Sequence, residues 1–368
     1  MSKARQLADL GNVYSDGALS NRNLIINGAM EIAQRGTSST SDSYRTVDRF
    51  RNNVGGPSVT QTQETLTSGD PYDLGFRYFY RQTNTSASSA TSSNMQIFQH
   101  IESQTIASSG WNYTSPSSYI TCSFWVRSSL AGTYNVCFRS LDTTSQWYAS
   151  EFTIAANTWT KIVKKVFGNS NLVFNNDAGQ GLQVNIVAHW GTNFTDSGFV
   201  FDQWAAYDGS SRSQDYSQDW GNTASATFDV TGVQLEVGDT ATPFEHRSYG
   251  DELARCQRYY WQTWPIGTST STDITGDDDF GVCMAGNSSK IVSGGATYPV
   301  TMRARPSVSV RSASGTALKY YERHTDTDFN FSSAAIHPGT SSILLHEYDG
   351  SAAAGREGSV HIFCDAEL

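Results

Sequence analysis

The chain has 368 residues, a formal net charge of −10, 16% charged residues and 12% aromatics, long enough for two or three domains with cores of their own. The negative balance disfavours nucleic-acid phosphates and anionic membrane surfaces as partners, while Ser, Thr, Gly and Asn in place of charge and of helix formers point to a β-rich, turn-rich exterior protein. No apolar run approaches the roughly 18 residues of a membrane span, and the start has no signal-peptide core, so a soluble chain without membrane insertion is expected from cytoplasmic synthesis.

Residues 1–20 stand apart. Ala4 to Leu10 suit one or two helical turns before Gly11, and Asp16-Gly17 is a turn signal. Such a segment builds no core. It reads equally as a disordered start or as a docking peptide that orders on a larger assembly, with Arg5, Leu7 and Leu10 as its contact residues.

From 21 to 248 the pattern has period two. Ile120, Cys122, Phe124 and Val126 share one face of a strand, with Thr121, Ser123, Trp125 and Arg127 on the other. Tyr134, Val136 and Phe138 mark the next strand, and Ser128–Gly132 between them is expected to be a hairpin loop. A third strand holds Tyr148, Phe152 and Ile154, and a fourth lies around 159–167. Leu182, Val184, Ile186 and Trp190 are expected on one face of a fifth, opposite Asn185 and His189. Strands arriving without helices between them predict an antiparallel sandwich of jelly-roll type.

A helix is expected near Asp251, where Asp251 and Glu252 suit its N-terminal end and Leu253, Cys256, Gln257 and Tyr260 form a stripe. It ends before Pro265, and 249–265 read as a helical joint or an oligomer contact. From 266 to 368 strands resume, including Tyr298–Met302, Ser307–Val310 and a terminal strand through Val360, Ile362 and Cys364.

Catalytic signatures are missing. There is no Gly-x-Ser-x-Gly elbow and no His-Glu-x-x-His. Five scattered cysteines without a Cys-x-x-Cys pair suggest small buried hydrophobes rather than disulfides or zinc. Asp273, Asp277, Asp278 and Asp279 form the densest acid cluster but lack calcium-loop spacing, so a solvated turn is preferred and no metal or cofactor is expected. Asp202, Asp208, Asp215 and Asp219 are the carboxylates a glycosidase reading would use, against ordinary turn chemistry. Sugar recognition has the firmer basis. Pyranose C–H faces stack on aromatic rings that the core does not use, while polar groups fork onto hydroxyls. Trp111, Tyr113, Trp125, Trp147, Trp204 and Tyr207 are therefore the expected glycan-binding residues, set against roles in satellite cores or subunit interfaces.

Residues 23–36 (Asn23-Leu24-Ile25-Ile26-Asn27-Gly28-Ala29-Met30 and on to Gly36), Val47-Asp48-Arg49-Phe50, Ser123-Phe124-Trp125-Val126-Arg127, Gly232-Val233-Gln234-Leu235-Glu236 and 250–260 together resemble the jelly-roll tail-fibre and virion-surface proteins of bacteriophages. The likeness covers 1 to about 260, and Lys3–Leu10 looks like the leading segment of marine phage fibres. Residues 300–306 are similar to the strand that opens the C-terminal tip domain of such proteins. The resemblance implies a carbohydrate-binding-module-like sandwich on a virion, commonly in a homotrimer attached at its N-terminus. The chain departs from a long fibre in showing no heptad or solenoid shaft.

The expectation is an all-β protein: a docking segment 1–20, a jelly-roll β-sandwich 21–248, a short helical joint 249–265 and a second, smaller β-sandwich 266–368. Its expected function is a non-catalytic adhesin on the tail or capsid exterior. Its partners would be other virion proteins, its own copies in a homotrimer and host surface polysaccharide, with avidity supplying the affinity. Trp125→Ala is expected to weaken adsorption without affecting folding. The alternative is a decoration, cement or head-fibre protein that binds no receptor, and a third reading is a glycan depolymerase.

Overall fold

The computed structural model describes residues 21–270, 272–273, 282–286, 291–322, 327–331, 336–348 and 357–368. The docking segment with Arg5, Leu7 and Leu10, and the acids Asp277, Asp278 and Asp279, lie outside the described residues. Two compact units emerge. One comprises the chain up to Glu31, Ser38–Tyr44 and Phe50–Arg247; the other gathers Ile32–Thr37, Arg45–Arg49 and Ser248–Leu368. Residues 32–37 and 45–49, which by sequence fall inside 21–248, thus belong to the second unit.

The first unit is a sandwich of two six-stranded sheets whose ladders are antiparallel. Numbered in chain order, sheet one runs β1 (Ser38–Ser39), β3 (Ser58–Thr65), β4 (Tyr78–Ser86), β12 (Thr227–Val237), β6 (Tyr119–Ser128), β9 (Thr160–Phe167). Sheet two runs β11 (Ala205–Ala206), β8 (Gln146–Ile154), β7 (Gly132–Ser140), β10 (Gln180–Trp190), β5 (Asn94–Glu102), β2 (Arg51–Gly55). Two short helices, α1 (Asp70–Asp73) and α2 (Ser103–Ala107), sit in the connections. Alternation works as expected on β6, where Ile120, Cys122, Phe124 and Val126 are fully buried. Their face meets sheet two through ring contacts such as Phe124–Phe152, with centroids 5.6 Å apart, and Tyr134–Phe228 at 5.3 Å.

Two expectations are corrected. The 128–132 loop is no hairpin: β6 pairs with β12 and β9, β7 pairs with β8 and β10, and the short loop crosses between the sheets. Trp190 does not share the face of Leu182, because the register shifts between Val187 and His189. A bulge inserts one residue and inverts the alternation after it, so Trp190 packs instead with Val187, Cys137 and Trp147.

The two strings that bracket this unit meet in space. A second bulge, in β12 between Thr231 and Gln234, places Gly232 at φ +63°. Beyond it residues 23–28 run beside β12, with the Leu24 amide donating to Leu235 O (2.8 Å), the Val233 amide to Gly28 O (2.9 Å) and the Asn23 amide group to Val233 O (3.2 Å). A β-carbon on Gly28 would stand 2.1 Å from Val233 O, so the close approach demands glycine here.

The second unit opens with α3 (Tyr249–Gln257). Ser248 caps it by accepting the Asp251 amide hydrogen bond at 3.2 Å, with Asp251 and Glu252 in the first turn, so the helix starts slightly earlier than the acids alone suggest. The strands are β13 (Tyr260–Gln262), β14 (Val282–Gly286), β15 (Ile291–Thr297), β16 (Ser307–Arg311), β17 (Lys319–Glu322), β18 (Thr327–Asn330), β19 (Ile336–Pro338), β20 (Ser342–Tyr348) and β21 (Glu357–Asp365). The long β21 organises the smaller β-sandwich: its first half pairs with β14 and β17, its second with β13 and β16. Val360, Ile362 and Cys364 pack with Val282, Met302, Val310 and Tyr320. The expected strand at Tyr298–Met302 is an irregular segment instead, tied by amide bonds to Ser341 and Thr340 oxygens. Pro299 has no N–H to give a ladder.

Residues 32–37 and 45–49 supply this unit with three arginines, Arg35, Arg45 and Arg49. Arg35 lies 3.5 Å over the Tyr260 ring and Arg49 3.4 Å over the Tyr259 ring, and both pair with Glu367. Asp48 accepts from the Gln34 amide at 3.1 Å and stands 3.6 Å from Arg35. Burial pushes the Asp48 carboxyl up to about 7, against the opposing pull of Arg35 and the Gln34 hydrogen bonds. Burial also acts to lower the Arg35 pKa, but Glu367, Asp48 and Asp365 outweigh it and keep the guanidinium charged. Cys122, Cys137, Cys256 and Cys364 are unpaired and buried, and burial raises each thiol.

Candidate functional site

Of the six predicted rings, Trp125, on the outer face of sheet one, lines a cleft. Trp125 on β6 stands opposite Lys161 on β9 and Thr231 on β12, so the three side chains project to the same side. Trp125 is 9% exposed and packs with Leu66, Phe76 and Phe79, joined by Trp159 and Phe244. One row away, Asp229, fully buried, receives Arg81 at 2.7 and 3.0 Å and Arg127 at 2.9 Å. Hydrogen bonding to Asp229 raises the Arg81 pKa further. Arg127 in turn covers Trp159 at 4.6 Å and Phe79 at 5.4 Å. The clamp therefore holds Phe79 and Trp159, which pack in the same cluster as Trp125.

Above this floor lies a cleft of about 410 Å³. Its walls are the β12 bulge with Gly232 and the segment 241–246, and its floor includes Phe76, Trp125 and Phe244. Phe76 meets Phe244 edge to face at 4.8 Å and the His246 ring at 5.1 Å. His246 Nε2 is 3.0 Å from Leu74 O, which fixes the exposed imidazole at the rim. Ser123, Thr242 and Lys161 complete the polar lining. A ring on a strand joined by two from flanking segments, with hydroxyls and one ammonium around them, suits a ligand with an apolar face and a polar perimeter.

The structure does not bring the other predicted residues into this cleft. Trp111, Trp147 and Trp204 are 3%, 4% and 8% exposed. Each indole N–H is taken by a backbone carbonyl: Trp111 donates to Ser118 O (3.3 Å), Trp147 to Arg212 O (2.9 Å) and Trp204 to Phe167 O (2.6 Å). These rings fasten loops onto the sandwich and leave no face for a sugar. Tyr113 is half-buried against Phe174 at 5.0 Å. Tyr207, also half-buried, meets Trp147 at 5.4 Å and holds Arg139 at 3.6 Å over its ring.

A second cleft of about 440 Å³ opens at the end of β10, lined by His189, Trp190, Asp215, Tyr216 and Asp219 among others. Burial lowers the His189 pKa, with Asp219 opposing, so the imidazole is neutral at neutral pH. Burial also raises the Tyr216 phenol, whose oxygen accepts from the Asn135 amide at 2.8 Å. Two of the four carboxylates considered by sequence, Asp215 and Asp219, thus reach a cleft, and Asp202 and Asp208 do not line it.

Sequence reading missed Phe76, Lys161, Phe244 and His246. Lys161 was accessible through alternation once the pairing of β6 with β9 was known, whereas Phe244 and His246 reach the face only through the path of the chain after β12.

No protein-family model and no curated protein matches the chain. Solved structures do. A tailspike protein 4 enzymatically active domain of bacteriophage CBA120 aligns over 59% of this chain and 22% of its own, with 12% identity and a TM-score of 0.34. A CBM4 carbohydrate-binding module aligns over 58% and 98%, with 11% identity and a TM-score of 0.29. A Stig cyclase from Fischerella sp. TAU aligns over 60% and 100%, with 9% identity and a TM-score of 0.34.

Proposed function

We propose that the first unit binds glycan in the Trp125 cleft, and that the protein is a non-catalytic, tail-fibre-like adhesin on the exterior of a phage particle. The observation that carries this reading is the cleft itself: half-buried Phe244 and the edges of the buried Phe76 and Trp125 rings floor a concavity whose remaining lining joins Leu74, Pro243 and small residues to Ser123, Thr242, His246 and Lys161. A single shallow cleft gives weak affinity. Copies repeated in trimers and over a particle raise it through effective concentration.

Labelled protein should bind intact host cells and lose that binding when surface polysaccharide is stripped, and Phe244→Ala should abolish it while the circular dichroism spectrum is unchanged. A second reading, a decoration protein that binds no receptor, is favoured by Trp111, Trp147 and Trp204, whose surfaces the fold itself consumes. Folded protein that enters particles yet binds no host polysaccharide would establish that reading instead.

A further inference from the structure

We infer that the Trp125 cleft selects an anionic saccharide, a pyranose bearing a carboxylate or a sulfate, and that Lys161 supplies the selecting charge. This deepens the glycan-binding reading and rests on it. Three observations carry it.

The first is the charge of the lining. The chain is strongly acidic, with 35 Asp and Glu against 25 Lys and Arg, yet no carboxylate lines this cleft, while Lys161 does. An acidic protein that keeps its acids out of one concave surface leaves a locally positive site there. The second is that neighbouring cations on this face are committed elsewhere. Arg81 and Arg127 both bind Asp229, and Arg77 donates to the Tyr72 and Phe76 carbonyls at 3.0 and 2.8 Å. Lys161 is exposed, and among the described residues it makes no ion pair or hydrogen bond, so its ammonium is available to a ligand.

The third is placement. Lys161 faces Trp125 across the β6–β9 ladder, so a ring lying over the aromatic floor would bring an equatorial substituent to the ammonium. Lys161 carries three donors on a flexible stem and reads charge rather than shape, so carboxylate and sulfate both satisfy it. Ser123 remains for a ring hydroxyl, whereas the Thr242 hydroxyl is held by Glu236 at 2.6 Å. A neutral hexose would use the rings and hydroxyls but leave the ammonium without a partner.

The test is calorimetric titration of the full chain with three oligosaccharide sets of matched length: oligogalacturonate for carboxylate, carrageenan oligosaccharide for sulfate, and a neutral cello-oligosaccharide. At least one acidic set should bind more tightly than the neutral set by roughly tenfold or more, as a charge-assisted hydrogen bond would give. That advantage should vanish in Lys161→Gln, return in Lys161→Arg and shrink as sodium chloride rises from low to high concentration. Which acidic set binds identifies the anionic group. If neutral and acidic sugars bind equally and Phe244→Ala abolishes both, the charge inference fails while the glycan-binding cleft stands. If acidic sugar binds but ignores both Lys161→Gln and Phe244→Ala, the ligand sits elsewhere and the inference fails. If no sugar binds the folded protein, both this inference and the adhesin reading fall.

Discussion

Trp125 shows how one residue serves two ends. Its alternation on β6 marks it as facing away from the sandwich interior, and the structure agrees, yet Leu66, Phe76 and Phe79 cover it so that only an edge reaches the cleft. Removal of such a ring leaves a cavity as well as a lost contact. Trp125→Ala should therefore cost about 3 kcal/mol in a denaturant titration that follows the first unit, contrary to the expectation of an unchanged fold. A loss below about 1 kcal/mol would mean that the outer cluster packs loosely. In the second unit Asp48 gives the opposite kind of residue, one whose charge the fold resists. Its folded pKa of about 7 stands above the ordinary carboxyl value of 3.8, so its stabilising contribution is complete below that lower value and disappears as pH rises through about 7. The second unit should accordingly melt at lower temperature at pH 8 than at pH 5. Asp48→Asn should flatten this slope, and an unaltered slope in the variant would assign it to other groups.

At the scale of the element, the outer face of sheet one depends on Asp229, because two guanidiniums from flanking strands converge on one fully buried carboxylate. Removing it strands Arg81 and Arg127 beside aromatic rings, although each is about a quarter exposed, which moderates the penalty. Asp229→Ala is expected to destabilise the first unit by about 2 kcal/mol and to disorder Trp159 and Phe79, which fluorescence and denaturant unfolding would report. Strand faces were legible before the structure, as Ile120 to Val126 demonstrate, since alternation follows from backbone geometry. Sheet membership was not. A short connection such as 129–131 can return a chain beside its neighbour or carry it to the opposite layer, and local pattern is the same for both. Bulges hide for a related reason: the extra residue near Val187 inverts the faces that follow without changing composition. The indoles of Trp111, Trp147 and Trp204 misled because a ring in a Ser-rich loop looks uncommitted until the carbonyl that binds its N–H is located.

At the scale of the whole chain, the second unit is discontinuous in sequence, drawing on Ile32–Thr37 and Arg45–Arg49 as well as Ser248–Leu368. A fragment beginning at 248 retains Tyr259, Tyr260 and Glu367 but lacks both arginines that engage them. Such a fragment should be poorly folded, with weak amide dispersion in NMR, and a separate peptide spanning 32–49 should restore dispersion. A well-dispersed spectrum from the fragment alone would show the early segments to be dispensable.

That discontinuity also governs the order of events at the ribosome. The arginine-bearing segments are translated well before their partner, since 318 residues separate Arg49 from Glu367. At roughly 5–20 residues per second, that separation leaves Arg35 and Arg49 without their carboxylate for about sixteen seconds or more. The first unit can fold during that interval; the second can close only once Glu367 has been made. Agents that slow elongation would lengthen the wait without altering the final structure.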